Sequence, residues 1–151
     1  MPRPVLIAID ASPARHAILD LVQRYCRSAQ QTLHVLLAID PSFAVHPAPT
    51  GYTEQERDQY PAACEEQQLA EQAVAQAIET LRAAGFECEG HTVPGAPVAV
   101  ILDTAQTLDC ELIVMGHRHL SRLGRLLDPS VSAKVIDEGR WPVLVAPMQE
   151  P

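Results

Sequence analysis

Gly116, His119, Pro129 and Ser130 are the residues of this sequence with the most chemistry in their placing. They lie within VMGHRHLSRLGRLLDPS, Val114 to Ser130, at the end of an apolar run. A glycine directly after an apolar strand, then a loop, then a serine opening a helix is an arrangement by which α/β proteins hold phosphates. Backbone N–H groups and the positive end of the helix face the anion. Glycine suits such a loop because it lets the main chain approach the ligand. His119 adds a Cβ to that approach, and Pro129 has no N–H to offer. Asp128 adds a negative charge nearby, which opposes a triphosphate. Against these losses stand His117, Arg118, His119, Arg122 and Arg125, whose side chains could neutralise phosphates in place of backbone amides. As ordinary solvated loop charges they would contribute little individually.

Other residues with chemical potential follow apolar runs: Asp10, Asp40 and the Pro94-Gly95 pair. In an open α/β sheet the ligand sits beyond the carboxyl ends of the strands, where the strand order reverses. Asp10 there could accept hydrogen bonds from a ribose hydroxyl or an adenine amino group, or it could help cap the next helix. His117-x-His119 has the form of a metal pair but no third ligand nearby, so no metal is assigned. Cys26, Cys64, Cys88 and Cys110 are scattered and form no CxxC pair, as expected of reduced core thiols in a cytosolic protein. No Ser-His-Asp order with a nucleophile elbow, Walker P-loop or dinucleotide fingerprint is present. No catalytic residue is therefore assigned. A phosphoacceptor receiver would need an aspartate after the third strand and a lysine after the fifth, where Val93-Pro94 and Ala146-Pro147 stand instead.

These residues need elements to position them. At 151 residues, 47% of them apolar, the chain is read as one domain, 1–151, with a packed core. Its formal charge of −8 argues against nonspecific nucleic-acid or anionic-membrane binding. The N-terminal apolar run Val5–Ile9 is too short to be a membrane or secretory signal, and a cytoplasmic location is expected. That run reads instead as a strand covered on both faces. Ser12-Pro13 caps a helix with Ala14, Ala17, Ile18, Leu21, Val22 and Tyr25 on one apolar face. Thr32–Ile39 is a second strand. Residues 41 to 61 form a long irregular segment with four prolines. Ala62–Ala84 is a helix with Leu69, Ala73, Ala77, Ile78 and Leu81 on one side, stopped by Gly85.

Phe86–Val93 is a weaker strand whose Glu87, Glu89 and His91 alternate with Cys88 and Gly90, the pattern of an edge strand with a wet face. Pro97 starts a helix with Val98, Ile101, Leu102 and Ala105 facing inward. Leu112–Met115 is the fourth strand. Ser130 caps a helix carrying Val131, Val135 and Ile136, ended by Gly139. Pro142–Ala146 is the last strand. Strands alternating with helices imply a parallel α/β sheet with right-handed crossovers.

The segments LIAIDAS, LHVLLAID, VPGAP, ELIVMGHRHLSRLGRLL and SVSAKVIDEGRWPVLVAP, in that order, resemble the universal stress protein family. The resemblance covers nearly the whole chain. It implies a Rossmann-like five-stranded parallel sheet in the order 3-2-1-4-5, flanked by four helices, in a protein that is usually a dimer. ATP-binding members carry a glycine, two residues, a glycine, nine residues, then a glycine followed by serine or threonine. Gly116, His119, Pro129 and Ser130 keep that spacing and lose both later glycines. Asp10 and the Ala38 backbone match positions that contact adenosine in family members. The candidate nucleotide site is thus Asp10, Ala38, Gly116, Arg118, His119, Pro129, Ser130 and Val131. The last strand, with Val143, Leu144, Val145 and Ala146, is the candidate dimer edge. The function so implied is that of a stress-response signalling or adaptor dimer with weak or no ATP binding. The alternative is a protein whose signalling depends on ATP or AMP with Mg²⁺, with slow hydrolysis.

Overall fold

The computed structural model describes residues 1–39, 61–117 and 131–147. The elements run in the order β1 (Arg3–Ile9), α1 (Arg15–Tyr25), β2 (Gln31–Ile39), α2 (Pro61–Ala83), β3 (Cys88–Pro94), α3 (Pro97–Thr107), β4 (Leu112–Gly116), α4 (Val131–Glu138) and β5 (Val143–Ala146). All pairings are parallel and the sheet order is β3-β2-β1-β4-β5, as the resemblance implies. The chain winds outward from β1 to β3, then crosses back to β4. The strand order therefore reverses between β1 and β4.

Alternation along the strands divides the core into two layers. Val5, Ile7 and Ile9 of β1, with Leu33, Val35, Leu37 and Ile39 of β2, face α1 and α2. Leu6 and Ala8, with Leu36, Ile113 and Met115, face α3 and α4. Because both faces are covered, β1 from Val5 to Ile9 is buried at every residue. That accounts for its unbroken apolar run. The charged alternation of β3 belongs to an edge strand, paired on one side to β2. Gly90 in its middle lets α2 approach closely: a Cβ there would lie 2.5 Å from atoms of Ile78 and Val74.

The helix faces are narrower than their apolar patterns. Tyr25, Leu69 and Ile136, expected inward, are 60%, 38% and 50% exposed. Tyr25 is the last residue of α1, and on α4 the buried stripe is Val131, Ser132 and Val135. Ala14, expected on the buried face of α1, is exposed and precedes the helix. Ser12-Pro13 starts α1 less directly than expected. Arg15, His16 and Ala17 donate to the carbonyls of Ser12, Pro13 and Ala14, three residues back, so regular α-helix begins at Arg15. Phe86 precedes β3 and is buried in the core.

α2 and α3 end in the same way. Phe86 donates to Leu81 and Gly85 to Arg82; Cys110 donates to Ala105 and Asp109 to Gln106. Each pair is a Schellman motif, which requires a left-handed residue. Gly85 supplies it with φ +95° after α2, and Asp109 with φ +52° after α3.

Candidate functional site

The described part of the cleft lies at the carboxyl ends of β2, β1 and β4. The pairing of Ile9 with Leu37 puts Asp10, the next residue, beside Ala38. The pairing of Ala8 with Met115 puts Gly116 beside Ile9. Residues 106 positions apart thus reach one rim because β1 and β4 are neighbours. Gly95 stands at the same rim: its N–H donates to Ile39 O at 2.9 Å, which holds the β3–α3 turn against the end of β2. Gly95 has φ +150°, and a Cβ there would lie 2.6 Å from Val100 Cγ2. Both the backbone conformation and the start of α3 require glycine.

Asp10 is half-buried and already bonded. Its Oδ1 accepts from the Ser12 N–H at 2.8 Å and from the Ser12 hydroxyl at 2.5 Å. The Ser12 Oγ in turn accepts from the Ala14 N–H at 3.3 Å. Arg15 donates to the carbonyls of Ala11 and Ser12 and to Gln76 Oε1 of α2, fixing this turn between two helices. The carboxylate is therefore held at the rim by the turn that leads into α1. Ala38 is half-buried and packs against the α3–α4 layer, with its backbone on the rim. Gly116 is buried and pairs with Ala146, and Val131 is 1% exposed at the start of α4. His117 is exposed just beyond β4. Asp40, Arg118, His119, Arg122, Arg125, Asp128, Pro129 and Ser130 lie outside the described residues, as does the segment 41–60.

All four cysteines are buried, and Cys26, Cys88 and Cys110 are free thiols. Burial pushes the thiols of Cys26, Cys88 and Cys110 up, that of Cys110 to about 11 with help from the Asp109 charge. These three are protonated at neutral pH and poor nucleophiles.

The family model described as the universal stress protein family matches residues 1–147. The chain belongs to that family. Comparison with curated proteins finds no match. Among solved structures, the chain is similar to the hypothetical protein MJ0577, at 22% identity and TM-score 0.75, over 100% of this chain and 99% of that one. It is similar to the universal stress protein from Archaeoglobus fulgidus in complex with dAMP, at 21% identity and TM-score 0.63, over 95% and 96%. It is also similar to a universal stress protein family protein from Arabidopsis thaliana with AMP bound, at 18% identity and TM-score 0.66, over 98% and 93%. At these identities the likeness is one of fold.

The fold also brings together three residues that sequence reasoning did not single out. His34 of β2 and Glu89 and His91 of β3 meet on the sheet face shared with α3 and α4. The alternation of β3 marked Glu89 and His91 as wet. The β2–β3 register that delivers His34 to them has no short-range signature.

Proposed function

We propose that this universal stress protein is a stress-response signalling or adaptor protein that self-associates through β5 and binds ATP weakly or not at all. The observation that carries the reading is a contrast between the rim and the sequence that follows Gly116. Asp10, Ala38 and Gly116 share the rim, which supports reading it as the half that would receive adenosine. The phosphate half keeps the Gly116-to-Ser130 spacing but has His119 and Pro129 in its glycine positions. The AMP and dAMP of the Arabidopsis and Archaeoglobus relatives support an adenosine pocket in this fold. A lost hydrogen bond to a charged phosphate costs about 1.5–3 kcal/mol, so two impaired positions weaken ATP roughly a hundredfold or more.

The second reading is a protein that binds ATP or AMP with Mg²⁺ and signals through it. Arg118, His119, Arg122 and Arg125 favour it, as side-chain donors at the same loop. The two readings part on one measurement. Calorimetric titration with ATP and Mg²⁺ is expected to give a Kd weaker than about 100 µM, or no heat. A low-micromolar Kd overturns the weak-binding reading and leaves the second. A cytoplasmic location is expected, where thiols such as those of Cys26, Cys88 and Cys110 stay reduced. Partners are expected to be a second copy of this chain and another protein, rather than nucleic acid or membrane, given the charge of −8. Among the described residues no helix is long and apolar enough to cross a membrane.

A further inference from the structure

We propose that His34, Glu89 and His91 form a site for a divalent first-row transition-metal ion, clasping edge strand β3 to β2. His34 Nδ1 and His91 Nε2 are 3.2 Å apart, and Glu89 Oε2 is 3.8 Å from His34 Nδ1. All three donor atoms lie within 4.8 Å of one another. With metal–nitrogen bonds of about 2.0–2.1 Å, nitrogens so spaced subtend about 100° at the ion, close to a tetrahedral angle. The carboxylate is slightly wide of that geometry, but the Glu89 side chain is 72% exposed and can rotate inward. Two imidazoles and a carboxylate suit zinc, cobalt, nickel or copper rather than calcium or magnesium, which favour all-oxygen sites. Three protein ligands leave at least one position for water.

The environment favours a cation over the bare pair. The imidazole rings stack with centroids 5.4 Å apart and an interplanar angle of 24°. Their facing nitrogens, without a metal, can only share one proton. With its ring proton on Nε2, His34 presents the Nδ1 lone pair to an ion. His34 and Glu89 also line an open cavity of about 500 Å³ with Thr32, Arg82 and Glu87, which gives the ion a path from solvent. The Arg82 guanidinium on the cavity wall donates to Cys88 O. Ala38 is four positions along β2 from His34, roughly 13 Å at about 3.3 Å per residue, so this site is distinct from the candidate nucleotide rim.

The test uses the full chain, stripped with chelator and titrated with Zn²⁺ at pH 7.5, with Co²⁺ as a visible-absorbance probe. One ion per chain is expected, with a rise in melting temperature of about 5 °C at a hundredfold excess over Kd. Glu89→Gln lies on the exposed edge and should melt as the parent does in chelator. His91→Asn is expected to weaken uptake at least about tenfold, and His34→Gln to do the same. A His117→Ala/His119→Ala double variant should bind as the parent does. The proposal is overturned if neither ion is taken up at 100 µM, if uptake survives both His91→Asn and His34→Gln, or if it disappears with His117 and His119.

Discussion

At the scale of single residues, the proposed weakness of the phosphate half rests on two occupants, His119 and Pro129. Pro129 has no N–H, and no rearrangement of its surroundings supplies one. Replacing His119 and Pro129 together by glycine restores both the donor and the close approach. That double variant should gain at least about a hundredfold in ATP affinity by calorimetry; an unchanged affinity would show that the two residues are not the cause. The missing donor is legible in the sequence, because the absence of a proline N–H does not depend on packing. Sequence could not show that Asp10 already accepts two hydrogen bonds from Ser12. A strand-end aspartate looks the same whether it awaits a ligand or holds a turn.

Cys110 yields a second prediction at this scale. Its thiol titrates at about 11 in the fold against an ordinary 9.0. The protonated form is thus favoured by folding. Its contribution to stability is fully present below pH 9 and is lost as pH rises from 9 through 11, because the unfolded chain ionises first. Melting temperature should therefore fall across that window. In Cys110→Ala the fall should be shallower, on a lower plateau left by the deleted side chain. A parallel fall in both proteins would assign it to other groups.

Among elements, the two helix ends offer a direct comparison. The same hydrogen-bond pattern closes α2 on Gly85 and α3 on Asp109. A non-glycine residue in the left-handed region costs about 1–2 kcal/mol, less for aspartate, while glycine adds entropy to the unfolded chain. Asp109→Gly should then stabilise the protein by about 0.5–1 kcal/mol, measurable in urea unfolding. A loss of stability would mean that the Asp109 side chain matters more than its backbone. Gly85 was legible as a helix stop. Asp109 was not, since an aspartate after a helix has many ordinary roles. The element types were legible from their periods throughout. The overestimates, Tyr25, Leu69 and Ile136, are apolar residues that the periodicity placed inward but that the buried helix faces do not reach.

For the whole molecule, the order β3-β2-β1-β4-β5 does what no local pattern can. It joins Asp10 to Gly116 across β1 and β4, and His34 to His91 across β2 and β3. The first junction was accessible through the family resemblance, which implies the strand order. The second was not, because it depends on register rather than order. The sheet order also leaves β5 at an edge. Ile113 N–H donates to Pro142 O, and pairing sides alternate along a parallel strand. The backbone groups of Val143 and Val145 therefore point away from β4, towards where a second copy would pair. Proline is tolerated on an edge but cannot donate outward. Val145→Pro should shift the protein from dimer to monomer in sedimentation, with a dissociation constant raised at least about tenfold. A parent that sediments as a monomer at high concentration sinks the dimer, and an unaffected dimer moves the interface elsewhere.

β5 has one more property with consequences. It is four residues long, yet Val143 and Val145 enter the layer under α3 and α4, while Leu144 and Ala146 enter the layer under α1 and α2. Detaching this strand removes side chains from both layers at once. The two layers, otherwise separated by the sheet, share a latch. A weakened β5 would loosen them together, and a second copy clamped on that edge would tighten both. In that arrangement self-association and the internal cohesion of the subunit are a single equilibrium.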